Sequence, residues 1–507
     1  MLSKVTGCGL LGCEGFIVNV ECDVSNGLPQ YAVVGLPDAG VKESKDRVYT
    51  AINNSGYRYP MKRITINLAP AELRKEGPAF DLPIAISLLA ASHQVDPDSL
   101  SHVMIIGSLS LDGNVVGVSG VLPMVLTARE QGFQSVIVPA DNKMEAGVVD
   151  GITVYPAAHL TEVVSHLNRE ILLKPCAISL QEIAKTQRDT EHVEDFASVH
   201  GQSQAKRALT IAAAGAHNVL MSGAPGSGKS MMAKAFPSIL PDLNNEEILE
   251  ITKIYSVAGI LGRSDLVLKR PFRSPHHTIS NQSLIGGGKI PKPGEVSLSH
   301  LGVLYLDELP EFSKSALETL RQPLEDHQVT ISRVYASITY PASFMLVASM
   351  NPCPCGYAGD PTHECRCTEA EINRYTGKIS GPLMDRIDIR VEVFPPKYQE
   401  LVTQAKEEDS ASMRAKVNAA REIQNARYAE EPGIFFNSQL TAALLNKYCK
   451  LGPRESAFME KVYQKMNLST RGYHRIIKLA RTIADLEGAA DITVVHLSEA
   501  VQYRIKA

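Results

Sequence analysis

The sequence predicts a mixed α/β protein of about three domains: a small N-terminal α+β domain, a central α/β domain built on a parallel sheet, and a helical C-terminal region. Three observations predict it. The chain is 507 residues long, several times the roughly 150 residues of an average domain. Residues 302–306 (Gly-Val-Leu-Tyr-Leu) and 344–348 (Phe-Met-Leu-Val-Ala) are near-continuous apolar runs, the pattern of strands covered on both faces. From about residue 396 the apolar positions recur at helical spacing instead.

Taken in order, residues 1–170 alternate β-branched runs (16–20, 31–34, 63–67, 103–106) with helical patterns at 82–92 and 121–131, an α+β arrangement. Residues 171–195 read as a linker, with seven charged residues among 181–195. In 196–395 a short strand at 218–222 runs into a glycine loop, and two further apolar strands follow. In 396–507, Met413, Val417, Ala420, Ile423 and Ala426 are expected to share one helix face, and Tyr473, Ile476, Ile477, Ala480, Ile483 and Ala484 another.

Composition narrows the function classes. Hydrophobic residues are 44% and charged residues 21%, so a folded protein is expected. Fifty-one basic residues against fifty-five acidic give −4, so no global positive field attracts nucleic acid, and any such contact must be local. The start of the chain does not read as a signal peptide, and the apolar stretch 82–91 is far short of the ~20 residues of a membrane span. Nine cysteines, an odd number in a long chain, do not suit a secreted disulfide framework. The expected compartment is the cytoplasm, without membrane partners.

The strongest motif is Gly223-Ala224-Pro225-Gly226-Ser227-Gly228-Lys229-Ser230, a complete G-x-x-x-x-G-K-S between a strand and an apolar helix. Glycines let backbone amides converge on phosphate oxygens at a helix N-terminus, where Lys229 reaches the terminal phosphates and Ser230 ligates Mg²⁺. Asp307 and Glu308 follow the 302–306 strand. Asp307 is expected in the Mg²⁺ shell and Glu308 beside the attacking water. Asn351, at the end of the next strand, is placed to orient that water. All are expected at the carboxyl ends of parallel strands, where ligands bind in open α/β sheets. The reading is ATP hydrolysis. Arg386 and Arg471 are either part of that machinery or surface ion-pair partners.

Taken together, His200-Gly-Gln, the phosphate loop, Phe272-Arg-Ser-Pro-His-His277, Gly294-Glu-Val-Ser-Leu298, Leu304-Tyr-Leu-Asp-Glu308, Asn351-Pro-Cys-Pro-Cys355 and Ser469-Thr-Arg-Gly-Tyr-His474 resemble the magnesium-chelatase-like AAA+ ATPases of the ComM/YifB type. The resemblance spans essentially the whole chain. It implies a central AAA+ domain with a C-terminal helical lid, and a homo-hexameric ring hydrolysing ATP between subunits. Arg386 then resembles an arginine finger and Arg471 a sensor-2 arginine. The resemblance also implies a helicase promoting branch migration on branched or single-stranded DNA during natural transformation, alongside recombination proteins. The alternative is a chelatase-type motor remodelling a protein client. Candidate DNA contacts are Arg273, His276, His277, Lys289 and Lys292 in the stretch between the phosphate loop and Asp307, and Arg333 near the turn of a hairpin at 328–339; each is equally a solvated surface residue. The N-terminal domain resembles the Lon-protease-like, ribosomal S5-type fold, but Ala79 stands where the nucleophilic serine would be and Leu122 near the expected lysine. Peptidase chemistry is therefore not expected.

Cys353, Cys355, Cys365 and Cys367 fall within 353–367. Four thiolates suit a structural Zn²⁺, although C-x-C is tighter than the usual spacing. Reduced free thiols or a redox switch are the alternatives. The cluster is expected to shape a surface loop and to take no part in hydrolysis. Cys8, Cys13, Cys22, Cys176 and Cys449 are expected to be packing residues.

Overall fold

The computed structural model describes residues 2–180, 183, 194–261, 266–288, 291–332, 337–360, 363–395, 407–431 and 433–505. Lys289, Arg333 and most of the expected linker lie outside the described residues. The chain forms two compact units, Met1–Asp189 with Asn244–Leu268, and Thr190–Leu243 with Lys269–Ala507. Among the described residues no helix is long and apolar enough to cross a membrane.

The first unit is built on a seven-stranded mixed sheet in the order Gln30–Val34, Arg63–Ala69, Glu14–Ser25, Leu2–Leu11, Val103–Ile105, Ser135–Pro139, Thr153–Ala157. Leu2–Leu11 and Glu14–Ser25 form an antiparallel hairpin that pairs Leu11 with Glu14, turning at Gly12 with φ 64°. Helix Asp81–Ala91 is apolar all round, and all its residues are buried, as such a pattern requires. Cys8, Cys13 and Cys22 are buried beside the sheet, and burial pushes each thiol up to about 12. Such thiols are inert packing.

Residues 244–268, which sequence spacing assigns to the central domain, belong to this first unit. Helix Asn245–Ala258 opens with a capping box, in which Asn244 and Glu247 satisfy each other's backbone amides, each at 2.9 Å. It buries Ile248, Ile251 and Ile254. The Ser256 carbonyl accepts from the Gly120 amide at 3.1 Å, and its hydroxyl bonds the buried Glu145 carboxylate.

The second unit is a five-stranded, all-parallel sheet in the order Phe272–Arg273, Val303–Leu306, Met345–Met350, Val219–Ser222, Ile389–Glu392. The strand leading into the glycine loop thus lies between two others. The C-terminal helices share its core: Met413, Val417, Ala420, Ile476, Ala480 and Ile483 pack in one cluster with Val219 and Met221. Within helix Ser410–Arg427 the buried stripe runs through Met413, Val417, Ala420 and Gln424, leaving Ile423 and Ala426 exposed, contrary to expectation. At about 100° per residue, position 424 lies at the centre of that stripe and 426 far round the helix. Gln424 is tolerated there because it donates to the Ala214 carbonyl at 2.9 Å and accepts from the Asn437 amide at 3.0 Å.

Candidate active site

Strand Val219–Ser222 must turn sharply into helix Lys229–Ala235, and glycine permits it. A Cβ on Gly223 would lie 2.1 Å from the Val393 carbonyl oxygen, and Gly226 and Gly228 adopt φ of 75° and 93°. Lys229 is buried against its own loop. Its ammonium donates to the carbonyls of Gly223 (2.7 Å) and Ala224 (2.9 Å), and more weakly to Asn351 Oδ1 (3.3 Å). Burial lowers the Lys229 pKa, and the carboxylates of Asp307 and Glu308 only partly counter this.

Strand Val303–Leu306 pairs in parallel with Met345–Met350 and delivers Asp307 beside Ser230, whose hydroxyl donates to Asp307 Oδ2 at 3.0 Å. The other oxygen accepts from the Ser349 hydroxyl and from the Glu308 amide. Tyr305 completes the group, its phenol reaching Ser349 at 3.3 Å and Ser230 at 3.4 Å. Burial raises the Asp307 carboxyl, but hydrogen bonds from Ser349, Tyr305 and Ser230 outweigh it, and the pKa stays below its ordinary value. Asp307 is therefore held ionised, beside a serine hydroxyl suited to share a divalent cation with it. Glu308 sits in a left-handed conformation at φ 53°, which costs a non-glycine residue about 1–2 kcal/mol. Its carboxylate points outward, 54% exposed and 3.9 Å from His277 Nδ1. Lys229, Ser230, Asp307, Glu308 and Asn351 thus gather at the carboxyl ends of three adjacent strands.

Arg386 and Arg471 do not bond this cluster. Both converge on one carboxylate, Glu325: Arg471 Nη2 lies 2.6 Å from its Oε1, and Arg386 bonds Oε2 while also donating to the Pro382 carbonyl at 2.8 Å. Arg386 is nearly buried, whereas Arg471 is 65% exposed.

The candidate DNA contacts divide. Arg273 is not a spare cation, because it makes a bidentate pair with Glu295 at 2.6 and 2.8 Å. His276 and His277 pack ring to ring at 4.1 Å, and His277 faces Glu308, so they border the carboxylate cluster. Lys292 is exposed on a short hairpin that pairs Gly287 with Lys292. That hairpin packs against the hairpin of Gln328–Ser332 and Ser337–Pro341, with the Tyr340 phenol donating to the Pro291 carbonyl at 2.8 Å.

The four cysteines meet. Their sulfurs all lie within 4.8 Å of one another, with Cys353–Cys355 at 3.3 Å and Cys365 at 3.7 Å from both. Cys353 is buried, and the loop runs against the glycine loop: a Cβ on Gly356 would lie 2.5 Å from Cδ of Pro225. In the first unit, Ala79 and Leu122 are both buried. Sequence reasoning missed Tyr305, Ser349, His277 as a neighbour of Glu308, and Glu325. The only local signal for any of them is a polar residue inside an apolar strand, as at Ser349.

Comparison with known proteins covers nearly the whole chain. The family described as magnesium chelatase, subunit ChlI, matches residues 195–401. Subunit ChlI of Mg-chelatase matches 20–142, and the subunit ChlI C-terminal family matches 407–504. The chain is 43% identical over 496 residues to the competence protein ComM of Haemophilus influenzae, covering 97% of this chain and 96% of that protein. It is also 43% identical over 506 residues to the uncharacterized protein YifB of Escherichia coli, covering 99% and 97%. A magnesium-chelatase 67 kDa subunit of Chlorobaculum parvum is 29% identical over 159 residues, covering 31% of this chain and 23% of that protein.

Proposed function

The chain belongs to the magnesium-chelatase-like family of ComM and YifB proteins, and from that premise we propose that it is an ATP-hydrolysing AAA+ motor acting on DNA. The observation that carries the hydrolytic reading is the convergence of Lys229, Ser230, Asp307, Glu308 and Asn351 at three neighbouring strand ends. The residues present suit a Mg²⁺: an ionised carboxylate bonded to a serine hydroxyl, its hydrogen bonds coming from neutral donors. When bound, the ion neutralises phosphate charge. The backbone N–H groups of the Gly223–Gly228 loop, Pro225 excepted, would cradle the phosphates of ATP, and Lys229 would exchange its carbonyl partners for phosphate oxygens. Ser230 and Asp307 hold the metal, Glu308 polarises the attacking water, and Asn351 orients it.

Arg386 and Arg471 fit a second site better than this one, because their bonds go to Glu325 and not to the phosphate loop. Glu325 holds them side by side, with Arg471 exposed and Arg386 nearly buried. Released from Glu325, they would act on the nucleotide of a neighbouring subunit in a hexameric ring and stabilise charge developing in phosphoryl transfer. The competence protein among its relatives supports a role in competence; within that role the reading is a helicase promoting branch migration in recombination of incoming DNA. The hairpin carrying Lys292 and the hairpin of Gln328–Ser332 and Ser337–Pro341 packed against it are the candidate DNA-contacting elements.

The test is steady-state ATP hydrolysis with and without a synthetic four-way junction, at low and moderate salt. Stimulation that fades with salt supports the DNA motor. A rate indifferent to DNA retains the ATPase and favours a protein client, the reading that the partial match to a chelatase subunit supports.

A further inference from the structure

Four features of the loop after Asn351 coincide. First, the sulfur spacing suits a single tetrahedral ion. Metal–sulfur bonds of about 2.3 Å place tetrahedral sulfurs about 3.8 Å apart. Cys365 lies 3.7 Å from both Cys353 and Cys355, that pair is 3.3 Å apart, and all four sulfurs fall within 4.8 Å of one another, so the set brackets the tetrahedral spacing. An iron–sulfur cluster interposes its own atoms and spreads its cysteines wider. Second, backbone amides point at the sulfurs: Cys355 N–H at Cys367 Sγ (3.4 Å) and Ala358 N–H at Cys353 Sγ (3.3 Å). Such donors offset thiolate charge and orient metal ligands. Third, Gly356 has φ 89° and backs directly onto Pro225, leaving no room for a Cβ. Fourth, Asn351, two residues before the first cysteine, contacts the Lys229 ammonium at 3.3 Å. The cysteine loop therefore touches the phosphate loop at Pro225, and the residue from which it departs, Asn351, contacts Lys229.

We propose that Cys353, Cys355, Cys365 and Cys367 bind one zinc ion, and that this zinc makes the cysteine loop a fixed wall for the phosphate loop, so that metal occupancy sets nucleotide affinity. The chemistry is exchange alone: four thiols release their protons as zinc binds, with no redox step. Without the ion, the long connection from 353 to 367 loses its cross-link and the Gly356–Pro225 contact loses its support. The coupling rests on reading Gly223–Ser230 as the nucleotide site; the zinc assignment does not.

The test uses the full chain, expressed with zinc and purified under reductant. Elemental analysis is expected to give one zinc per chain, and cobalt(II) exchange to give thiolate-to-metal charge-transfer and tetrahedral d–d bands. Chelation is expected to weaken binding of a fluorescent ATP analogue about tenfold, with zinc restoring it. Cys365→Ser and Cys367→Ser should lose the metal, and if they fail to fold, Gly356→Ala serves instead. That variant keeps all four thiols and its zinc, yet is expected to bind the analogue about tenfold more weakly, because it strains the contact with Pro225. Wild-type protein without zinc overturns the proposal. Zinc-bound protein whose nucleotide affinity survives removal of the zinc overturns the coupling, whatever Gly356→Ala does, and an unchanged affinity in Gly356→Ala overturns the Pro225 contact as its route. Zinc-bound wild type that binds no ATP analogue overturns the coupling through the nucleotide reading, while the metal count stands.

Discussion

Asp81 in the first unit and Asp307 in the second are both carboxylates drawn into an α/β interior, and their partners differ in kind. Asp81 is fully buried and holds its own counter-charge: Arg47 grips both oxygens at 2.8 and 3.0 Å, and the Ser108 hydroxyl adds a bond at 3.0 Å. Asp307 is bonded by hydroxyls and one amide. A buried charge with a built-in cation is a structural device. One surrounded by neutral donors keeps its charge for a cation supplied from outside. The two buried lysines are alike in donating to a pair of backbone carbonyls, Pro70 and Leu73 for Lys75 and Gly223 and Ala224 for Lys229. Lys229 differs in also contacting Asn351 and lying within electrostatic reach of Asp307 and Glu308, to which it makes no hydrogen bond.

The contrast is sharpened most by Glu308→Gln, which should lower steady-state ATP turnover by about a thousandfold while analogue binding stays near wild type; unchanged turnover would remove Glu308 from catalysis. Next, Lys229→Ala should weaken analogue binding by about a hundredfold with little change in melting temperature. Arg47→Met is the opposite experiment. It strands the Asp81 charge and should destabilise the first unit by about 3 kcal/mol in denaturant unfolding, leaving nucleotide affinity intact. A variant in which both change together would break the comparison. Asp307→Asn should keep the fold but raise the Mg²⁺ concentration needed for half-maximal hydrolysis by about tenfold.

The smallest effect concerns Asp388, which ties helix Thr470–Leu486 to the sheet through Arg475 at 2.6 Å and accepts from the Asn218 amide at 3.0 Å. Burial raises its carboxyl, but Arg475, His217 and the Asn218 amide outweigh that, and its pKa lies well below the ordinary range. A pKa depressed in the folded state contributes stability that is complete above the unfolded value of about 3.9 and is lost as pH falls toward the folded one. Asp388→Asn should therefore flatten the acid limb of the stability profile by about 1 kcal/mol, with equal slopes counting against the assignment.

The parts of the site readable from the sequence are those whose chemistry is local. The loop Gly223–Ser230, the Asp307–Glu308 pair and the cysteine spacing each carry their meaning in neighbouring residues. The Ser349–Asp307 bond, the double clasp on Glu325 and the seat of Pro225 on Gly356 join positions tens to more than a hundred residues apart, and no periodicity encodes them. The same limit applies to the fold. The parallel strands announce themselves as apolar runs, whereas the helix Asn245–Ala258 reads as amphipathic without saying which core it covers. In helix Ser410–Arg427 apolar spacing points to Ile423 and not to Gln424, because a glutamine satisfied by two backbone groups has the sequence signature of a surface residue.

The helix borrowed from the middle of the chain also sets a schedule for synthesis. A ribosome releases residues 1–189 well before Asn245–Ala258, so the N-terminal unit emerges lacking its final piece, and the phosphate-loop strand is translated before that piece arrives. The nascent chain must wait with the Gly120 and Glu145 surface uncovered, exposed to proteases and to association with its neighbours. A gene fragment ending at 189 would keep that surface uncovered permanently.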